Sequence, residues 1–263
     1  MGFEVPAQAY QRFMGRYSEP LAVAFADACG VPASAGAGQR QVRALDVGAG
    51  TGALTGVLVD HLGAGAVQAC DPSEAFVEAL HARFPELDVR RGAAESLPYD
   101  DASFGWTLAA LVVHFMTDPV AGLAEMARVT APGGTVGATV WDYGDDGGPL
   151  SLFWAAAREL DPDIGDESGL AGVRDGQLLS LFTSAGMSGA EQSLLSVDVV
   201  HPTFEEWWEP YTLGVGPAGD LVQRLPDAER VALQDRCRAL LPPAPFTIRA
   251  AAWTVTWTRR PRG

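Results

Sequence analysis

Cationic residues are scarce in this 263-residue chain: 18 Lys and Arg stand against 33 Asp and Glu, giving a formal charge of −15 and a pI of about 4.5. An acidic surface repels phosphate backbones. No Lys/Arg cluster interrupts it beyond the short tail "RRPRG", so a nucleic-acid partner is not expected. Cysteine is scarce as well. Cys29, Cys70 and Cys237 are odd in number, widely spaced and free of any CxxC or Cys/His pattern. That argues against a zinc site or a disulfide framework and fits reduced thiols in a cytoplasmic protein. No metal site is expected. Long apolar runs are missing too. The longest, Phe104 to Val113, falls far short of the roughly 20 residues a membrane helix needs. The opening "MGFEVPAQAY" has no basic segment leading into an apolar one, so a secretory leader is not expected either.

What is present is an ordinary globular composition, 48% hydrophobic, at a length that suits one elaborated domain or a domain with a cap. Residues 7–29 read as a helix, with Phe13, Tyr17, Leu21 and Ala24 at three- or four-residue steps. "GVPASAGAGQR" reads as a turn-rich linker. Strand and helix signals then alternate: strand "VRALDV", helix 52–62, strand "AVQACD", helix 73–83, strand "LDVRRG", strand "FGWTLAALVV", helix 119–130, the turn "APGG" and strand "TVGATVWDY". A βαβα series implies a parallel sheet covered by helices on both faces. Beyond Gly144 come helices over 151–160 and 176–185, flanking the acidic loop "DPDIGDESG". The strand-like "EQSLLSVDVV", a mostly helical insertion over 203–245 and the strand "FTIRAAAWTVTWTRR" close the chain.

The stretch "ALDVGAGTGALT", Ala44 to Thr55, places three glycines directly after an apolar run. A strand running through glycines into a helix builds a ligand site at the strand's carboxyl end, where unpaired N–H groups and the helix dipole gather. "GAGTGA" fits GxGxxA, and Asp71 follows about 20 residues on, where a ribose-binding acid belongs. The pattern suits NAD or another adenosine ligand. Asp46, two residues before Gly48, favours a ligand bearing a cationic amino group over a pyrophosphate, which it would repel.

Several segments taken together resemble one family. "LDVGAGTGALT", "VQACDPSEAFVEAL", "RGAAESLPYDDASFGWTLAALVVHFMTDP" and "EMARVTAPGGTVGATVWD" are similar, in order and spacing, to the motifs of class I S-adenosylmethionine (SAM)-dependent methyltransferases. "YQRFMGRYSEPLA" is similar to the N-terminal segment of a bacterial small-molecule branch. The resemblance covers about residues 10–143 well and 144–245 poorly. It implies a Rossmann-like seven-stranded sheet in order 3-2-1-4-5-7-6, last strand antiparallel, with helices on both faces and a helical cap. The implied division is an N-terminal helical lid (1–40), a SAM-binding core (41–143), a helical segment and core strand (144–200), a helical insertion serving as substrate cap (201–245) and a C-terminal core strand (246–263).

The resemblance also implies site roles. Gly48, Ala49, Gly50 and Gly52 pass under the cofactor's methionine and ribose. Asp46 approaches its amino group, and Asp71 accepts from both ribose hydroxyls. Pro72 packs on the adenine, while Ala94 and Glu95 sit at its edge. The family's usual "GDAE" is "GAAE" here, with Ala93, so the adenine amine falls to Glu95 or to backbone groups. Leu111 offers its carbonyl at the end of the fourth strand, and Tyr10 and Arg16 are candidates for the cofactor carboxylate. His114, after the fourth strand, is the candidate base, or else a packing residue. Trp141, Asp142 and Tyr143 end the fifth strand at the same edge and are candidates to orient substrate, unless Asp142 caps a loop. Trp207, Trp208 and Tyr211 in "HPTFEEWWEPYTLGVGPAG" either line an acceptor pocket or form the insertion's own core. The expected activity is methyl transfer to O, N or C of a small molecule of secondary metabolism, by a monomer or homodimer. The alternative is a SAM-binding, methyltransferase-like enzyme that catalyses a non-methylating reaction such as cyclisation.

Overall fold

The computed structural model describes residues 7–33 and 42–261. Most of the expected linker 30–40, the start of the lid region and the last two residues of the tail lie outside the described residues. The elements run α1 (Ala7–Ala28), β1 (Ala44–Val47), α2 (Ala53–Leu62), β2 (Val67–Asp71), α3 (Glu74–Arg83), β3 (Asp88–Arg91), β4 (Phe104–Ala110), α4 (Pro119–Val129) and β5 (Thr130–Trp141). They continue with α5 (Ser151–Leu160), α6 (Gln177–Ser184), β6 (Glu191–His201), α7 (Phe204–Trp208), α8 (Gly216–Arg224), α9 (Asp227–Leu240) and β7 (Phe246–Thr258). One seven-stranded sheet forms in order β3-β2-β1-β4-β5-β7-β6. The first five strands pair in parallel, and β7 is antiparallel to both β5 and β6.

The alternation of side chains along β1 divides the interior. Leu45 and Val47 pack toward α4 and α6 with Leu123, Met126 and Phe182. Ala44 faces the other way, toward α1 and α2 with Phe25, Leu54 and Leu58. A third cluster lies under the cap, where Phe13, Tyr17 and Leu21 of α1 meet Trp141, Phe153, Trp154 and the aromatic residues of α7. The buried stripe of α1 continues through Phe25, while Ala24 is only half-buried.

Two strand boundaries differ from the sequence expectation by more than two residues. β4 stops at Ala110 because Leu111 turns to φ 61° and gives its N–H to Thr139 O at 2.8 Å. β5 begins at Thr130 and passes through "APGG" with a register shift, so that Phe104 pairs Thr130 but Trp106 pairs Thr135. Arg259, on the segment after β7, holds this irregular start. Its guanidinium donates to the carbonyls of Ala127, Arg128 and Thr130, and its own carbonyl receives the Gly133 N–H at 2.7 Å.

Candidate functional site

A cleft of about 840 Å³ opens at the carboxyl ends of β1, β2 and β4. Connections leave β1 toward β2 on one side and reach β4 on the other, which makes this the point where ligands bind in open α/β sheets. α1 closes one wall with Tyr10, Ser18, Leu21 and Ala22.

The floor is the turn after β1. Gly48 and Ala49 donate their N–H groups to Cys70 O at 2.8 and 3.0 Å, which binds the turn to the end of β2. Gly48 has φ +69°, and a Cβ there would stand 2.3 Å from Val112 Cγ2. Gly50, at φ +55°, has open space where its Cβ would be. Gly52 has a different duty. Its missing Cβ makes room for Leu80 and Phe84, 2.8 and 2.9 Å away, so it packs α2 onto α3 and does not line the cleft.

Two carboxylates meet this floor. Asp71 accepts the Gly50 N–H on Oδ2 at 2.9 Å and the Ser73 N–H on Oδ1 at 2.8 Å. Each oxygen keeps a second lone pair for a ligand hydroxyl. Burial raises its pKa against the opposing pull of those two N–H groups. Asp46 is 1% exposed and takes the Thr55 hydroxyl on Oδ2 at 2.6 Å. Burial pushes its carboxyl up to about 7, partly offset by that Thr55 bond and reinforced by the charge of Asp71. A cation beside Asp46 relieves the same penalty.

Tyr10 lines the cleft edge-on to Phe76, ring centres 5.9 Å apart, and its phenol is pushed up to about 12 by burial and then by Asp71. Pro72, Ala94 and Leu111 are in the lining as well. Glu95 is there too, but its Oε1 already holds the N–H groups of Thr117 and Asp118 at 2.7 and 3.2 Å. It fastens the loop that carries Phe115 and Met116 over the cleft.

The remaining predicted residues lie elsewhere. Arg16 is outside the lining of the cleft, its Nη1 donating to His201 Nδ1 at 2.9 Å. Because a guanidinium only donates, Nδ1 accepts, and His201 Nε2–H donates to the Tyr17 hydroxyl at 2.8 Å. Burial, and then Arg16, depress His201 to about 4. His114 is 7% exposed, 4.0 Å ring to ring from Phe115 and 6.4 Å from Tyr143. Burial depresses it to about 3, so it is neutral and a weak base where it stands. Asp142 turns its Oδ1 to the Asp145 N–H at 3.1 Å and so caps the loop after β5. Trp141, Trp207, Trp208 and Tyr211 interlock with Phe153 in the cap's own core, and Tyr143 packs against them.

Sequence reasoning missed Thr55, Ser18, Phe115, Met116 and Thr117. Thr55 had a signal: it stands one turn into the helix that follows the acid-bearing strand. Thr51 also escaped notice. Its hydroxyl donates to Gln11 Oε1 at 2.8 Å and ties α1 to the glycine turn.

Residues 45–137 match the sequence profile of a family described as a methyltransferase domain. An uncharacterised methyltransferase of Mycobacterium tuberculosis is 41% identical over 123 residues, 47% of this chain and 46% of that one. A demethylmenaquinone methyltransferase of Chlorobaculum tepidum is 34% identical over 97 residues, 37% of this chain and 40% of that one. The chain thus spans less than half the length of either relative. Among solved structures, phosphoethanolamine N-methyltransferase 2 of Haemonchus contortus, in complex with phosphomonomethylethanolamine and S-adenosylhomocysteine, superposes over 97% of this chain and 57% of its own. The TM-score is 0.58 at 14% identity, a likeness of fold.

Proposed function

We propose, for a chain that belongs to the class I SAM-dependent methyltransferase family, the transfer of a methyl group from SAM to a small-molecule acceptor. The observation that carries this is the coincidence of the matched residues 45–137 with the floor and far wall of the cleft, above all Asp71 with one spare lone pair on each oxygen. SAM carries a ribose diol, a cationic amino group and a flat base. The residues present fit each of these. Asp71 receives the diol, Asp46 faces the ammonium, and the bare Gly50 lets the ligand lie against the backbone. Leu111, Phe115 and Met116 supply apolar cover for the base.

When bound, SAM supplies an electrophilic methyl on a sulfonium. The chain's own part is to orient the acceptor in line with it and to exclude water. α1 and the loop after β4 do the second. The first falls to the cap cluster, the region most remote from the matched profile. His114, neutral and buried after β4 between Phe115 and Tyr143, serves as a positioning residue. The three cysteines, all free and buried, support a reducing, cytoplasmic setting, and no described helix is long and apolar enough to cross a membrane. Among the described residues no cluster of His, Cys, Asp and Glu suits a metal ion.

The test is calorimetry of the purified protein with SAM, S-adenosylhomocysteine and NAD, together with the Asp71→Ala variant. Two hydrogen bonds to a charged group, at about 1.5–3 kcal/mol each, set the expected loss at 100-fold or more in SAM affinity. Unchanged affinity overturns the assignment. Turnover that releases no S-adenosylhomocysteine would reassign the enzyme to a non-methylating reaction such as cyclisation.

A further inference from the structure

The cleft is short of positive charge. Among the described residues that line it, one side chain is cationic, Arg91. It stands at the Asp71 end, donating to Pro72 O at 3.2 Å and pairing with Glu74 at 3.2 Å. Arg16, the cation expected for a carboxylate, is turned away. Besides its bond to His201 it faces a separate groove of about 370 Å³ between α1 and the cap, beside Arg12, Glu206 and Glu209. Tyr10 also stands at the Asp71 end, against Phe76. The Asp46 end of the cleft therefore has a buried carboxyl and no cation among the residues that line it.

Neutral donors gather there instead. α2 begins behind Gly52, which has a left-handed backbone and gives no side-chain cap. Of the first-turn N–H groups, that of Thr55 goes to Asp46. Those of Ala53 and Leu54 have no partner among the described residues, and both residues line the cleft. An uncapped helix start carries partial positive charge. Ser18 of α1 shares this end of the cleft. Gln11 of the same helix accepts the Thr51 hydroxyl at 2.8 Å, and Ala22 packs in one cluster with Ala49 and Leu54. Ser18 lies between these two contacts, seven residues after Gln11 and four before Ala22, a spacing that keeps all three on one helix face. It is 8% exposed and lines the cleft. Its recorded hydrogen bond, to Gly15 O one turn back, is 3.5 Å long, past the ordinary reach of an O–H···O contact. A buried hydroxyl held so weakly is free to turn to a better acceptor.

We propose that the Ser18 hydroxyl, with the Ala53 and Leu54 N–H groups, holds the carboxylate of the cofactor's methionine moiety, and that no arginine meets it. Hydrogen bonds from neutral donors to an ionised carboxylate are strong ones, so the absence of a cation does not leave the group without support. Asp46 at the same end suits the ammonium on the adjoining carbon, so an α-amino acid finds both its charges matched in one corner. Arg16 is then a strut, fastening α1 to the end of β6 through His201. The inference rests on the methyl-transfer reading for the identity of the ligand and goes beyond it in assigning this contact.

The probes are SAM and decarboxylated SAM, which keeps the adenosine, the sulfonium and the amine and lacks the carboxylate. Both are titrated calorimetrically into the purified full chain. Wild type is expected to bind SAM at least tenfold more tightly than the decarboxylated compound. Ser18→Ala, a change that favours the helix, should weaken SAM about tenfold and leave the decarboxylated compound within about twofold. Arg16→Gln should shift both ligands by the same factor and so keep the wild-type preference. Equal weakening of both ligands in Ser18→Ala, no weakening of either, or a preference for SAM that collapses in Arg16→Gln each overturns the inference. The Arg16 comparison stands even if the Ser18 variant folds poorly. A wild type that binds both compounds equally refutes only the carboxylate contact, whereas one that binds neither refutes the methyltransferase reading.

Discussion

The buried carboxyl of Asp46 makes stability depend on pH in a direction that can be worked out. Its pKa is about 7 in the folded chain against an ordinary 3.8, because α2 and the end of β1 exclude water from it. The native state therefore keeps this proton to higher pH than the unfolded chain does. Stability from this group is complete below about pH 4 and drains away as pH rises to 7, after which the loss is constant. At 1.36 kcal/mol per pH unit the full loss is about 4 kcal/mol, of which roughly 2–3 kcal/mol falls between pH 5 and pH 8. Asp46→Asn removes the titration while leaving an oxygen to accept the Thr55 hydroxyl. Glu167 titrates in the same direction, so the useful quantity is the difference between variant and wild type, not either curve alone. Urea unfolding of both proteins at pH 5, 6, 7 and 8, without ligand, should show the stability of the variant relative to wild type rising by roughly 2–3 kcal/mol across that range. A difference that does not change with pH refutes the argument that burial holds this acid neutral.

Two other perturbations test the floor and the buried imidazole. Gly48→Ala combines a left-handed backbone with a clash against Val112 and should lose about 2–4 kcal/mol in urea unfolding; pairing it with Val112→Ala should return about 1 kcal/mol of the steric part, and full additivity would show that the two side chains do not collide. His114 should show no ring-proton titration by NMR between pH 5 and 8, whereas a midpoint near 6.5 would mean that its site is wet.

Much of the sheet was legible because its signals are local. β1 and its glycine turn, β2 ending in Asp71, and α4 starting at Pro119 behind Asp118 each announce themselves within a few residues. The strand errors arose where a distant partner decides. Nothing in "FGWTLAALVV" marks the end of β4, because the turn at Leu111 is fixed by Thr139 on the neighbouring strand. "APGG" reads as a turn by composition, yet Arg259, more than a hundred residues on, holds it in β5. The same limit governs the site. Gly48, Gly50 and Asp71 were readable from spacing, as the floor of any such cleft is. Arg16 was not, because its destination depends on His201 coming alongside α1.

The last residue of β6, His201, pairs directly with the first of β7, Phe246. Residues 202–245 are therefore an excursion between two bonded strands, in effect one outsized hairpin loop. Closing such a loop becomes only slowly more demanding as it lengthens. The lining of the cleft, from Tyr10 to Thr117, is built from chain that precedes this excursion. The segment can thus be enlarged, trimmed or replaced as a unit while the cleft at the carboxyl ends of β1, β2 and β4 keeps its geometry.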